Sequence, residues 1–195
     1  MKRFLFVLLA VPTLLFAHPP TNAPNGLLYA DRVPAPYRAA FVAQVTEIAG
    51  RLQVKPEWLM VVMCFETAGT FRANIKNPYS GAVGLIQFTK YGIRRLDTTV
   101  PKLGRMDAIE QLVWVERYFA PYAGQMHSVY DCYIVVFAPA YLGKPDRQVL
   151  YRADGPTALD RRRYRYNKTL DTNRDGLITI ADVKSQIRRL VPSNV

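Results

Sequence analysis

The segment 57–66, EWLMVVMCFE, constrains this chain more than any other stretch. Pro56 precedes it and suits a first helical turn, where a missing N–H costs nothing and φ is already set. The run from Trp58 through Phe65 leaves no polar face. A helix that is apolar all round must be surrounded by other elements, so the fold has to be built around this one. Yet the helix ends in a carboxylate, Glu66. Negative charge at a helix C-terminus is opposed by the helix dipole, and a purely structural role there would favour Lys or Arg. At the edge of an apolar core, desolvation raises a carboxyl's pKa, which lets a general acid stay protonated near neutral pH. Glu66 is therefore the candidate catalytic residue.

The rest of the chain supplies the neighbours such a helix needs. Its 195 residues are enough for one domain, or one plus a small appendage, and for burying roughly 70% of the unfolded surface. Phe41, Val45, Ile48 and Leu52 share one face of a helix over 37–52. Asp107 can cap a helix running to Phe119 and stopped by Pro121. Ser128 and Asp131 form a capping pair that opens another helix, interrupted by Pro139. Between 70 and 88, Asn77-Pro78, Ser80-Gly81 and Gly84 predict turns and short extended pieces. A last amphipathic helix closes the chain. The predicted class is mainly α, with a small hairpin or turn region.

At the N-terminus, Lys2 and Arg3 precede an apolar run over 4–16, then Ala17 and a polar, Pro-rich stretch. That is a secretory signal pattern. Its 13 residues are too few to span roughly 30 Å of hydrocarbon, so no permanent membrane span is expected. The predicted division is a signal peptide over 1–17 and a Pro-rich leader over 18–36, on a protein exported to the periplasm or the exterior. Removing Lys2 and Arg3 lowers the net charge from +11 to +9. Such a field attracts polyanions, and export leaves an acidic wall polymer or lipid surface ahead of nucleic acid, which is not expected as a partner. Arg161, Arg162, Arg163 and Arg165 alternate with Tyr164 and Tyr166 and read as a solvated basic connector over 153–166. Two cysteines exclude a disulfide scaffold and a four-cysteine zinc site, and two histidines argue against catalytic zinc. Cys64 and Cys132 lie in apolar helical segments, where they either pair or remain buried thiols.

Glu66-Thr67-Ala68-Gly69-Thr70-Phe71, then Asn77-Pro78, then the run 80–88, SGAVGLIQF, carry a resemblance. Together they resemble the lytic transglycosylases of the soluble (SLT) lysozyme-like type, in the phage-associated variant that opens on Glu-Thr-x-Gly-Thr-Phe. The match is tight over 66–88 and looser over 37–152, where Tyr118 to Pro121 and the run 137–145, FAPAYLGKP, also fit. The resemblance implies a lysozyme-like α+β domain over 37–152 that cuts the MurNAc-GlcNAc bond of peptidoglycan glycan strands, acts as a monomer and needs no cofactor for catalysis. It implies substrate-binding roles for four residues. Gln87 would bond the substrate acetamide or orient Glu66, or else act as a buried amide holding the turn. Thr67 stands where many relatives carry Ser and either bonds the carboxylate or caps the helix end. Gly84 serves backbone geometry or close sugar approach. Tyr141 falls near the family's Ala-Tyr-Asn-Ala-Gly motif, but the run here is Ala-Tyr-Leu-Gly, without the asparagine. Phe71, Phe88 and Tyr91 either stack on sugar faces or belong to the core.

Paired-carboxylate glycosidases need a second Asp or Glu across the scissile bond. No Asp or Glu occurs over 67–96, and Asp97 is the first candidate. One-acid chemistry fits better, with Glu66 as acid and then base and the sugar's 6-hydroxyl as nucleophile. The resemblance implies a 1,6-anhydro-muramyl product. A muramidase that activates water, and a non-catalytic calcium-stabilised wall-binding module, remain alternatives.

The run 171–182, DTNRDGLITIAD, matches the twelve-residue EF-hand loop. Asp171, Asn173 and Asp175 fall at positions 1, 3 and 5, and Gly176 supplies the sharp turn. Leu177 offers its carbonyl, Thr179 is a direct or water-mediated ligand, and Asp182 replaces the usual Glu at position 12. The expectation is a single EF-hand-like helix-loop-helix over 167–195 holding a structural Ca²⁺.

Overall fold

The computed structural model describes residues 26–193. The predicted signal peptide and the first part of the Pro-rich leader lie outside the described residues. The chain is mainly helical, in the order α1 (Arg38–Leu52), α2 (Pro56–Glu66), α3 (Val100–Leu103), α4 (Ala108–Phe119), α5 (Val129–Phe137), β1 (Val149–Arg152), α6 (Ala158–Tyr166), β2 (Leu177–Thr179) and α7 (Ile180–Arg188). Short 3-10 turns join several of them.

Local chemistry accounts for the helix boundaries. α1 buries Phe41, Val45, Ile48, Ala49 and Leu52 along one stripe and stops where Gln53 turns left-handed, at φ 58°. Pro56 opens α2 as its first residue. Asp107 and Glu110 form a reciprocal capping box at α4, with the Glu110 N–H on Asp107 (2.8 Å) and the Asp107 N–H on Glu110 (2.9 Å). At α5 the Ser128 hydroxyl accepts the Asp131 N–H (3.1 Å), and the Asp131 carboxylate accepts the His127 N–H (2.9 Å).

α2 lies at the centre, packed by α1 and α5, with α7 covering parts of both α5 and α2. One hydrophobic core runs from Leu28 to Leu190, and the Tyr29 hydroxyl donates to the Leu190 carbonyl at 2.8 Å, tying the two ends of the described chain together. Among the described residues, no helix is long and apolar enough to cross a membrane.

The turns and short extended pieces expected over 70–88 are present, and one expectation, the solvated connector, needs correction. The only paired strands among the described residues are β1 and β2, antiparallel, with Val149 opposite Thr179, Tyr151 opposite Ile178, Arg152 opposite Leu177, and a bulge between Val149 and Tyr151. The stretch 70–88 holds turns and isolated bridges, Lys76 to Val83 and Val83 to Phe88. The connector over 153–166 is not simply solvated, because most of it is α6, in which Arg163 and Tyr164 are buried. Arg163 is accommodated by Asp160, one turn back at 3.2 Å. The described part of the C-terminal segment, 167–193, accordingly joins the main core through β2 and α7 rather than standing apart.

Candidate active site

α2 delivers Glu66 to the edge of the core in its last turn, and every residue of the helix after Trp58 is buried. The helix ends because the chain folds back. Ala68, Gly69 and Phe71 take φ of 51°, 77° and 50°, and the Gly69 N–H donates to the Cys64 carbonyl at 2.7 Å. Thr67 is fully buried, donates its hydroxyl to the Met63 carbonyl (2.7 Å) and accepts the Phe71 N–H (3.0 Å). A side chain so enclosed has no face for a glycan. The substrate-binding expectation for Thr67 gives way to its other reading, a cap on the helix end.

Glu66 keeps 9% exposure. Among the described residues, none hydrogen-bonds or ion-pairs with its carboxyl. Burial pushes that carboxyl up to about 8, and no neighbouring charge contributes to the rise. It is therefore protonated at neutral pH and still reaches solvent, the two properties an acid needs. Asp97, the candidate second carboxylate, is exposed on a bend and does not act on Glu66.

Two tyrosines lie within electrostatic reach of Glu66. Tyr133 of α5 is fully buried, packs edge-on to Phe65 (centroids 5.2 Å apart), and its hydroxyl has no hydrogen-bond partner among the described residues. Tyr118 of α4 donates to the Val135 carbonyl at 3.3 Å. Burial first, and the Glu66 charge as a smaller cause, hold both phenols above their ordinary range, so both remain neutral donors. Sequence reasoning assigned neither a role beside Glu66. The signal available was Tyr133 inside the otherwise apolar run over 132–137, CYIVVF.

The wall formed by 75–88 depends on a residue that sequence reasoning passed over. Gln111 of α4, fully buried, accepts the Leu85 N–H (2.7 Å) and donates to the carbonyls of Ala73 and Leu103 (3.0 Å each). It is the buried amide that holds this turn. Gly84, at φ 84°, lets the Gln111 amide lie against the backbone, since a Cβ there would run into it. Gln87 donates to the Gly84 carbonyl at 3.1 Å, while its Oε1 is buried without a hydrogen-bond partner among the described residues. An orphaned acceptor of this kind is costly, and its enclosure favours the reading of Gln87 as a buried amide at the turn. Phe88, the next residue, packs edge-on to Tyr118 (6.1 Å), which connects this wall to the Glu66 neighbourhood.

Phe71 and Phe88 are fully enclosed core residues, whereas Tyr91 is 45% exposed. Tyr141 is half-buried in the turn after α5 and stands near Tyr151, with no hydrogen bond or electrostatic coupling to Glu66 among the described residues. Cys64 and Cys132 are both buried free thiols, each pushed up to about 12 by burial.

The loop over 171–182 connects α6 and its trailing 3-10 turn to β2 and α7. Asp171 accepts the Asp175 N–H (3.1 Å) and the Gly176 N–H (3.0 Å), and Gly176 turns at φ 80°. The Tyr164 hydroxyl donates to Asp171 at 2.5 Å and, with the loop N–H groups, holds that carboxyl below the usual carboxylate range. Asn173 donates to Asp175 at 2.9 Å, and Asp175 accepts the Leu177 N–H at 2.8 Å. Asp182 caps α7 by accepting from the Thr179 N–H (2.8 Å) and hydroxyl (2.6 Å). Among the described residues, no three acidic, His or Cys side chains converge. The donors are all hard oxygens in EF-hand order, which fits Ca²⁺ or Mg²⁺ chemistry, with Asp182 the donor most occupied elsewhere. No protein-family model, curated protein or solved structure matches this chain.

Proposed function

We infer that this chain is an exported peptidoglycan lytic transglycosylase with a lysozyme-like domain, cleaving the MurNAc-GlcNAc bond with Glu66 as its single acid and base. The observation that carries the reading is the buried Glu66 carboxyl, raised to about 8 by desolvation, with no ion-pair partner and no second carboxylate acting on it among the described residues. The protonated carboxyl gives its proton to the glycosidic oxygen as the C1–O bond breaks. The substrate's acetamide carbonyl supports the cationic C1. The resulting carboxylate then takes the proton of the 6-hydroxyl as O6 bonds to C1, which regenerates the acid and leaves a 1,6-anhydro end. The neutral Tyr133 hydroxyl, without a hydrogen-bond partner among the described residues, is suited to stabilise the transient Glu66 carboxylate. A Ca²⁺ held by Asp171, Asn173, Asp175, the Leu177 carbonyl, Thr179 and Asp182 would add structural rigidity to the C-terminal loop, away from the reaction.

The test is the mass of fragments released from purified peptidoglycan by the wild type and by Glu66→Gln. Anhydro-muramyl ends made by the wild type alone are the expected result. Reducing ends would mean that water is the nucleophile and a muramidase is in hand. No release by either form would leave the wall-binding module as the better reading.

A further inference from the structure

Outside the residues given a role in cleavage lies a cavity of about 540 Å³ between the 3-10 turn Gly92–Arg95 and the end of α4. Its walls carry Arg94, Arg95 and Arg117 together with Tyr91, Tyr118 and Tyr122, and no lining residue is acidic. Among the described residues, none of the three guanidinium groups forms an ion pair with a carboxylate. Two are braced on aromatic rings, Arg94 over Tyr91 at 4.7 Å and Arg117 over Trp114 at 4.6 Å. A guanidinium stacked by its flat face keeps its N–H edge available for a bidentate contact with a planar anion. Three such groups facing one cavity repel each other unless an anion joins them.

We propose that this cavity binds the carboxylates of the peptide stem on the muramyl sugar. The proposal rests on the peptidoglycan reading above. N-acetylglucosamine is uncharged and, once the stem is attached, the lactyl carboxyl of the muramyl sugar is an amide, so in stem-bearing glycan the negative charge is carried by the peptide. Tyr118, a wall residue of the cavity, also feels the charge of Glu66 and packs edge-on to Phe88 at 6.1 Å, which connects the cavity to the Glu66 neighbourhood. The volume is in the range of sites that hold small ligands, and the apolar ring faces suit the stem's aliphatic portions.

The experiment titrates the full exported chain with the free stem tripeptide, with the same peptide carrying carboxamides in place of carboxylates, and with inorganic phosphate, followed by calorimetry and amide chemical shifts. The same ligands are then given to Arg94→Ala/Arg117→Ala. Binding of the acidic tripeptide is expected, weakened about tenfold or more by amidation or by the double substitution, as loss of a charge-assisted contact implies. No binding, or equal binding of acid and amide, overturns the proposal. Phosphate binding that matches or exceeds the peptide and depends on the same arginines also overturns it, and assigns the cavity to a phosphate ligand. Should the double variant not fold, the acid-against-amide comparison on the wild type decides alone. A chain that releases nothing from peptidoglycan yet binds the acidic tripeptide through these arginines sinks the transglycosylase reading and not the cavity's ligand. Cleavage without carboxylate dependence does the reverse.

Discussion

Replacing Glu66 by Gln should make the protein more stable, and only at high pH. In the folded chain the carboxyl is pushed from 4.5 to about 8 by burial alone. A group whose folded pKa is raised binds its proton more tightly folded than unfolded. Below pH 4.5 both states are protonated and Glu66 adds no pH-dependent term. As pH rises toward 8 the unfolded chain releases that proton while the folded chain holds it, so stability falls, and above 8 the full cost is present. At about 1.4 kcal/mol per pH unit, the span from 4.5 to about 8 corresponds to about 5 kcal/mol. The 9% exposure lets water screen the charge, which brings the working figure to about 2–4 kcal/mol. Gln fills the same volume with no charge to desolvate, so urea unfolding of both proteins at pH 5 and pH 9 isolates the effect, other titrations cancelling between them. The variant should gain about 2–4 kcal/mol on the wild type between the two pH values. A gap that stays within about 0.5 kcal/mol at both would mean that Glu66 is solvated and ionised at pH 7, and the acid reading would lose its physical basis.

Glycan cleavage by the wild type should fall as pH rises through about 8, where Glu66 gives up its proton, and a rate that climbs steadily to pH 10 would refute its role as the acid. Gly84→Ala meets both a φ of 84° and the Gln111 amide, so a loss of about 3 kcal/mol is expected by denaturant midpoint; a loss under about 1 would show that the turn relaxes. Millimolar Ca²⁺ should raise the thermal midpoint of the wild type but not of Asp171→Ala/Asp175→Ala, as binding to the folded state alone requires, and an equal shift in both would dissociate the effect from the loop. Cys64 and Cys132, buried thiols pushed up to about 12, should resist a thiol reagent until the chain unfolds, and fast labelling of the native protein would contradict their enclosure.

The helices legible in the sequence are those whose own residues carry a pattern. The stripe of Phe41, Val45, Ile48 and Leu52, the Asp107 cap and the Ser128–Asp131 pair each act within one or two turns, and α1, α4 and α5 follow them closely. α6 was hidden because ALDRRRYRY has an average composition that looks solvated, and a buried Arg163 becomes tolerable through tertiary placement and the contact with Asp160. The β1–β2 pair was hidden for a different reason. Four residues, Val149–Arg152, become a strand by meeting three others about 28 positions later, a tertiary event with no local signal. At the site, Glu66 was legible because a carboxylate ending an apolar helix conflicts with its surroundings. Gln111 was not, since an amide in an amphipathic helix looks solvent-facing until the turn it clasps is in place.

The raised carboxyl and the C-terminal loop are linked by packing. Desolvation of Glu66 requires α2 to be walled in, and α1 and α5 supply most of that wall. α7 supplies the rest, lying on α5 and on part of α2, and it is fixed there from both of its ends. At one end β2 pairs with β1 and the Ile180 N–H donates to the Gln148 carbonyl at 3.0 Å. At the other, the Leu190 carbonyl receives the Tyr29 hydroxyl. The loop over 171–182 sits directly ahead of this helix, and Asp182 belongs to both, as loop position 12 and as the α7 capping partner of Thr179. Whatever stiffens the loop therefore holds α7 in place, and holding α7 keeps water from α5 and the flank of α2. Loss of the segment after 166 would open that flank, lower the carboxyl toward the ordinary range of a glutamate and remove the proton on which the proposed chemistry depends.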